Sequence, residues 1–274
     1  MQVPTSSSPS AGDLASYDDH ALAAALATLA GERLVDVRTT GVAESWEPSE
    51  LKDTGDRVAH ELLVALLAEH RPGDAVLSEE GSDDKVRLGS DRVWIVDPLD
   101  GTREFGEPPR DDWAVHVALW ERGAGDGSQV GDLTAGAVAQ AALGRTFSTA
   151  HPSVVPPRTA PRPRVVVSRS RPPAVVEPVV AALGADLVPM GSAGAKVMAL
   201  VRDVADVYVH AGGQYEWDSA APVAVARAAG LVTCRLDGSP LLYNQDDVYL
   251  PDLLVCRPEL ADAVLAALRP HLPR

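Results

Sequence analysis

The stretch WIVDPLDGT, residues 94–102, places two aspartates three positions apart directly after an apolar run. The run is typical of a buried strand, so Asp97 and Asp100 stand where the chain leaves the core, and in layered α/β folds ligands collect at such strand ends. Pro98 makes the turn rigid, which lets both carboxylates and the Leu99 carbonyl point to one centre. Like charges this close do not all stay ionised without compensation. Hard oxygen ligands without a His or Cys cluster favour Mg²⁺ over zinc or copper.

The two residues that follow predict a second feature of the stretch. A turn or helix beginning at Gly101 would point backbone N–H groups at an anion, and glycine permits a close approach. The Thr102 hydroxyl, paired with an acid such as Glu79, would orient and deprotonate a water. Taken alone, however, Asp-x-x-Asp is more often a turn or a helix cap.

Three further acidic positions accompany this pair. Asp56 stands at the start of a helical pattern, Glu79 follows the apolar run AVLS, and Asp218 lies in EWDSAAP, where it also suits a helix N-cap. If these chain segments converge, several carboxylates meet in one cleft, and metal is the natural compensation. Two metals about 3.5 to 4 Å apart would clamp a phosphate and activate a water for in-line attack.

Composition narrows the possible functions. The chain has 274 residues, 46% of them hydrophobic, and contains neither an apolar run of membrane-spanning length nor an N-terminal secretory signal. We therefore expect a cytoplasmic, globular protein without membrane contacts. The formal net charge of -15 argues against nucleic-acid binding, which needs a basic surface. Cys234 and Cys256 have no metal-binding spacing and are expected to be buried, reduced thiols.

The chain pattern predicts a layered α/β fold. Residues 1–15 are rich in Ser and Pro and are expected to be disordered, and the proline-dense stretch HPSVVPPRTAPRPR, residues 151–164, is the best candidate for a domain boundary. The predicted division is an N-terminal α+β domain, residues 16–155, with most of the metal ligands, and an α/β domain, residues 156–274, with Asp218. In the second part strands and helices alternate.

Four motifs occur in a set order: SEEG (78–81), WIVDPLDGTREF (94–105), GSAGAK (191–196) and EWDSAAPVAVARAAG (216–230). Together they resemble the Mg²⁺-dependent inositol monophosphatase superfamily, over about residues 17–270. Within it the chain is most similar to the CysQ branch of 3′-phosphoadenosine 5′-phosphate phosphatases, in its actinobacterial form. This resemblance implies a five-layer αβαβα sandwich, two or three Mg²⁺ ions, inhibition by Li⁺ and a homodimer.

The resemblance also implies roles for individual residues. The implied metal ligands are Glu79, Asp97, the Leu99 carbonyl, Asp100 and Asp218. Glu79 and Thr102 would activate the water. The implied contacts to a small-molecule phosphate substrate are Asp100, Gly101, Thr102, Ser168, Arg169, Ser170, Arg171, Lys196 and Asp218.

The chain departs from the family pattern at two places. ELKDTGDRVAH, residues 50–60, differs from the family's usual loop, but Asp56 still aligns with the last Asp of that loop, which the resemblance implies serves a third metal and contributes to catalysis. Arg171 stands where many nucleotidases have His, and an Arg can bind a second phosphate bidentately.

Three functions follow from these observations. The first is hydrolysis of the 3′-phosphate of 3′-phosphoadenosine 5′-phosphate to AMP, in sulfate assimilation. An inositol 1-phosphate or fructose 1,6-bisphosphate phosphatase would use the same chemistry. A non-catalytic module that binds nucleotide or metal is the third, and the retained Glu79 and Thr102 speak against it.

Overall fold

The structure, a computed structural model, describes residues 14–125, 127 and 130–272. Most of the N-terminal stretch expected to be disordered, residues 1–15, lies outside the described residues. Its last two residues belong to a 3₁₀ turn, Leu14–Ser16, whose leucine is buried in the core.

The first half of the chain forms two long helices and an ordered five-stranded sheet. The sheet order is β1-β2-β3-β4-β5, with β1 parallel to β2 and the other neighbours antiparallel. A short helix, α3, follows β2 directly. The elements are α1 (Asp19–Ala43), α2 (Pro48–His70), β1 (Ala75–Ser78), β2 (Arg92–Asp100), α3 (Thr102–Phe105), β3 (Ala114–Arg122), β4 (Gly131–Gln140) and β5 (Arg145–Ser148).

The second half forms another five-stranded sheet, in the order β7-β6-β8-β10-β9. Strand β6 is parallel to both neighbours, whereas β10 is antiparallel to β8 and β9. The elements are β6 (Arg164–Ser168), α4 (Val176–Leu183), β7 (Asp186–Met190), α5 (Ala193–Val201), β8 (Val207–Tyr215), α6 (Glu216–Ala228), β9 (Val232–Cys234), β10 (Tyr249–Cys256) and α7 (Ala261–Leu268). Short 3₁₀ turns lie at Val86–Gly89, Ala141–Leu143, Pro258–Leu260 and Arg269–His271.

Three apolar cores hold these elements in five layers. Helices α1 and α2 cover the outer face of the first sheet, α5 and α6 lie between the two sheets, and α4 and α7 cover the outer face of the second. The expected αβαβα sandwich is therefore confirmed. Residues 151–163 contain no helix or strand, but both sheets share the middle helical layer, so the division into two domains stays a prediction.

Two helix starts differ from the sequence-based expectation. Helix α2 begins at Pro48, which suits a first helical position because it needs no N–H partner, so Asp56 lies in mid-helix and not at a helix start. Helix α6 begins at Glu216, so Asp218 is its third residue and not the N-cap. The Asp218 carboxylate instead accepts a hydrogen bond of 2.6 Å from the N–H of Tyr215, the cap residue.

Strands β4 and β5 were not expected from the sequence. Strand β4 is rich in glycine and alanine, residues that are depleted in strands, and its tertiary contacts override that preference. A Cβ built on Gly136 would lie 2.7 Å from the Ala224 Cβ of α6, so the small residues let the helix lie close to the sheet.

The sequence also predicts that the two cysteines are buried and that the protein makes no membrane contacts. Cys234 and Cys256 are both buried and free, as predicted. Among the residues that the structure describes, we find no helix with the length and apolar character that a membrane span requires.

Because α6 lies close to β4, we expect a single added methyl group at Gly136 to lower the stability of the fold. Gly136→Ala should lower the free energy of unfolding by about 1 to 3 kcal/mol, because the added carbon overpacks the contact with Ala224. Gly73→Ala is the control, since a Cβ there meets no atom within 4 Å, and its effect should stay within about 0.5 kcal/mol. Urea unfolding of both variants measures the difference, and equal effects would contradict the packing argument.

Candidate active site

Three buried or half-buried carboxylates meet where β2 ends and α6 begins. One oxygen each of Asp97, Asp100 and Asp218 lies within 4.8 Å of the others. Residues three apart on a regular strand point to opposite faces, but β2 carries an extra residue here, since Asp97 pairs with His116 and Asp100 with Ala114. The bulge therefore turns both aspartates to the same side of the sheet.

Asp97 has the strongest need for a positive partner. Its side chain is 1% exposed and one oxygen accepts the N–H of Leu99 at 3.0 Å, whereas the other has no hydrogen-bond partner among the described residues and lies 3.8 Å from His116 Nδ1. Burial raises its pKa well above the usual value, and the charge of Glu79 adds to that shift. A buried, unpartnered carboxylate oxygen is costly. This oxygen and the carboxylates of Asp100 and Asp218 form a donor set that fits a hard divalent cation such as Mg²⁺.

Asp100 is stabilised as an anion by the N-terminus of α5. Its oxygens accept hydrogen bonds from the Ser192 hydroxyl, from the Ala193 N–H at 3.1 Å and from the Gly194 N–H at 2.6 Å. Burial opposes ionisation, but the charges of His116 and Lys196 outweigh it and lower the pKa of Asp100 to about 2. Ser192 caps the helix at a φ of 48°, a left-handed value that costs a non-glycine residue energy.

His116 is part of this cluster and was missed in the sequence. It is fully buried, its Nε2 lies 3.2 Å from Asp100 Oδ2, and its Nδ1 donates to the Trp217 carbonyl at 3.1 Å. Burial opposes its charged form, but Asp100 reverses the effect and raises the pKa of His116. Gly194 makes room for the ring, because a Cβ there would lie 2.0 Å from Nε2. The one sequence feature that pointed to His116 is that it is a single histidine within the apolar run of β3.

Glu79 and Asp56 lie at the edge of the cluster. Part of Glu79 is open to solvent, yet desolvation by the surrounding protein and the charges of Asp218 and Asp100 raise its pKa to about 7. The pKa of Asp56 also rises to about 7, mainly through burial and then through Glu80.

Thr102 faces Asp56 in this structure. Its hydroxyl lies 3.0 Å from the Leu99 carbonyl and 3.4 Å from Asp56 Oδ1, so these are the partners that the structure gives it, whereas the sequence analysis paired it with Glu79. Gly101 adopts a φ of 87°, and a Cβ there would lie 3.0 Å from the Cβ of Ser192. The turn therefore requires glycine at position 101. The close approach of the backbone to an anion, predicted from the sequence, has the same requirement.

Two predicted substrate contacts are engaged within the protein. Arg169 donates to Glu104 at 2.9 Å and to Glu107 at 2.7 Å. Lys196 is 6% exposed, and its Nζ donates to the carbonyls of Gly191 and Ser192. Both side chains therefore support the segments around the cluster.

The rest of the Ser-Arg segment is more open. Ser168 ends β6 half-buried, and its hydroxyl accepts the backbone N–H of Arg171 at 3.2 Å. The Ser170 and Arg171 residues are exposed. Of the two arginines, Arg171 is the one whose side chain is open to a ligand.

The sequence of this chain matches the inositol monophosphatase family over residues 16–272. The chain belongs to that family. It is 49% identical to a 3′-phosphoadenosine 5′-phosphate phosphatase of Mycobacterium leprae over 261 residues, covering 93% of this chain and 95% of the relative. It is 50% identical to the phosphatase of the same name from Mycobacterium tuberculosis over 240 residues, covering 87% and 89%. Among solved structures, CysQ of Bacteroides thetaiotaomicron is similar with a TM-score of 0.70 and 28% identity, over 88% of this chain and 98% of that one.

Membership agrees with the chemistry of the cluster. The inositol monophosphatase family is metal-dependent, and in this member Asp97, Asp100 and Asp218 form a group that can hold a metal ion. The roles of the individual residues stay predictions.

The raised pKa values predict a pH-dependent stability in the absence of metal. Glu79 and Asp56 have a pKa of about 7 and Asp218 of about 6 in the folded chain, whereas unfolded carboxyls titrate near pH 4. Between about pH 4 and 7 the unfolded state therefore ionises first, and the melting temperature in EDTA should fall across that window. A divalent cation such as Mg²⁺, held by this group of acids, would bind their ionised forms, so it should raise the melting temperature more at pH 8 than at pH 5.

Scanning calorimetry with EDTA and with Mg²⁺ measures both effects. Asp218→Asn, which removes one of the repelling charges, is expected to show a smaller decline with pH in EDTA. A decline as steep as that of the wild type, or an equal Mg²⁺ response at both pH values, would contradict the electrostatic account.

Proposed function

We propose that this protein is a Mg²⁺-dependent phosphomonoesterase that hydrolyses the 3′-phosphate of 3′-phosphoadenosine 5′-phosphate to give AMP and phosphate. The observation that carries this proposal is the 49% identity to a phosphatase named for that substrate, over nearly the full length of both chains. We further propose a cytoplasmic homodimer that is inhibited by Li⁺ and acts in sulfate assimilation.

The acidic residues of the cluster would hold the metal. Asp97, Asp100 and Asp218 are the proposed ligands, with Glu79 and the Leu99 carbonyl completing the set and Asp56 serving a third ion. Bound Mg²⁺ would neutralise phosphate charge and make a bound water more acidic. The unpartnered oxygen of Asp97 supports this assignment, because a cation would give it the partner that it lacks.

The remaining residues would position and deprotonate the reactants. Glu79, with a pKa of about 7, is suited to accept a proton from the attacking water near neutral pH. The water oxygen forms the new bond to phosphorus, the bond from phosphorus to the 3′ oxygen breaks, and that oxygen takes a proton from solvent. The Gly101 turn brings backbone close to the phosphate, and Thr102 helps to orient the water.

Substrate preference tests the proposal directly. With Mg²⁺, kcat/KM for 3′-phosphoadenosine 5′-phosphate should exceed that for inositol 1-phosphate and for fructose 1,6-bisphosphate by at least about tenfold, equivalent to 1.4 kcal/mol. Glu79→Gln should lower kcat by about 100-fold or more, because it removes the proposed base and one proposed metal ligand together. Glu61→Gln, an exposed acid on α2, is the control. A preference for either sugar phosphate would overturn the substrate assignment, and near-normal turnover of Glu79→Gln would overturn the role of the base.

Arg171 is the residue that we expect to recognise the second phosphate. Arg171→Ala should raise KM for the bisphosphate about tenfold, as loss of a charge-assisted hydrogen bond predicts, and leave hydrolysis of 3′-AMP unchanged. Arg169→Ala should lower the melting temperature, because it leaves Glu104 without its cation partner. Steady-state kinetics on both substrates separates the two arginines. An unchanged KM in Arg171→Ala would show that its exposed side chain does not contact the substrate.

A further inference from the structure

A buried arginine joins the loop that follows Glu79 to the segment that precedes β10. Arg87 is 2% exposed and donates to both oxygens of Asp83, at 3.1 and 2.8 Å. It also donates at 2.8 Å to the side-chain oxygen of Asn244 and at 2.8 Å to the carbonyl of Gln245. Asp83 and Arg87 belong to the loop that follows Glu79, whereas Asn244 and Gln245 precede β10.

A second buried charge continues this connection. Glu216 is fully buried, and its two oxygens accept the backbone N–H groups of Asn244 and Gln245, each at 2.7 Å. A carboxylate without contact to water is expensive to bury, so these bonds must hold the 244–245 segment firmly in place. Asn244 has a left-handed φ of 58°, a conformation that its surroundings have to maintain. We call the connected residues Asp83, Arg87, Asn244, Gln245 and Glu216 the Arg87–Glu216 bridge.

The two ends of this bridge lie close in sequence to two acids of the site. Asp83 follows Glu79 by four residues, and Glu216 precedes Asp218 by two. Glu79 directly follows β1 of the first sheet and Asp218 lies on α6 in the middle helical layer, so their separation depends on contacts between these layers. Packing of α6 on the first sheet is one such contact, and the Arg87–Glu216 bridge adds a connection through hydrogen bonds.

Nearby ion pairs do not provide the same constraint. Lys85 also links the two segments, since its Nζ lies 3.0 Å from Asp83 and 3.6 Å from the Asp246 carboxylate and donates to the Asp246 carbonyl, but the Asp246 side chain is 83% exposed and the lysine 44%. Exposed pairs of this kind contribute little. A buried ion pair is itself weak evidence for stability, since an apolar replacement is often as stable, but it fixes geometry.

We propose that Arg87 and Glu216 are positioning residues that fix the separation between Glu79 and Asp218 and thereby set the affinity of the acidic cluster for a divalent cation. The inference rests on the metal-dependent hydrolysis proposed above. Loss of the bridge lets the mutually repelling carboxylates move apart, so that ligands from the two halves no longer reach one cation together. Cation binding weakens and kcat falls, whereas KM for substrate changes less.

Arg87→Met tests this proposal in the full-length protein. Mg²⁺ affinity, measured by calorimetry, should fall about tenfold or more, and kcat at a fixed Mg²⁺ concentration should fall with it. Arg257→Met is the matched control, because Arg257 is 3% exposed and bonded to Asp203 and Asp206 at the opposite end of β8. It should lose stability while its Mg²⁺ affinity stays within twofold of the wild type.

Two milder variants keep the test valid if Arg87→Met does not fold. Asn244→Gly removes one acceptor of Arg87 without backbone strain, and Arg87→Lys keeps the charge but not the forked hydrogen bonding. Both should give intermediate Mg²⁺ affinities. Hydrogen exchange at the backbone amides of residues 244 and 245 should be faster than in the wild type in both variants, and fastest in Arg87→Met.

The outcomes separate this inference from the proposed function. If Arg87→Met and Arg257→Met bind Mg²⁺ as tightly as the wild type and differ only in stability, the bridge is structural and the inference is wrong. If the wild-type protein itself binds no Mg²⁺, both the inference and the proposed hydrolysis fail. If the wild type binds Mg²⁺ and Arg87→Met weakens binding, yet no phosphate ester is hydrolysed, the inference stands and the proposed function fails.

Discussion

Mutual repulsion among desolvated carboxylates is the constraint on which the centre of this fold depends. The protein responds differently at each acid. Asp100 receives the N-terminus of α5 and His116 and stays ionised, with a pKa of about 2. Asp97, three residues earlier on the same strand and also buried, accepts one backbone N–H, and His116 Nδ1 lies 3.8 Å from its other oxygen. Within a single bulge, one acid is therefore held as an anion by the protein, whereas burial and neighbouring acids raise the pKa of the other.

Sequence patterns predicted much of the fold, and motifs predicted the acids. Apolar runs located β1 and β2, and the alternation in the second half located most of the second sheet, because those elements carry strong hydrophobic patterns. Strand β4 escaped prediction because its identity comes from packing under α6 and not from its own Gly- and Ala-rich residues. The bulge that turns Asp97 and Asp100 to one side is likewise a property of register with β3, which a single strand does not encode.

The partners of the charged residues near the site were not predictable from the sequence. Arg169 and Lys196 are cations that the sequence predicts to contact a phosphate, and the sequence alone does not distinguish such a contact from a structural ion pair. In the fold, however, Arg169 is bonded to Glu104, and Lys196 caps two carbonyls. Glu216 and Arg87 gave no comparable signal, because their partners are backbone groups and loops that only the tertiary structure brings together. A short sequence motif therefore does not predict contacts between segments that are distant along the chain.

The exposed position of Arg171 separates its proposed role in selectivity from stability. Its hydrogen bond to Ser168 involves its backbone N–H, so the guanidinium does not take part in that contact. Asp97 and Asp100, in contrast, are buried in the core. Under the proposed roles, exchange of one surface side chain would change which phosphate ester binds without disturbing folding. Substrate range could then change by substitutions at the surface, while a change at the buried acids would alter the core itself.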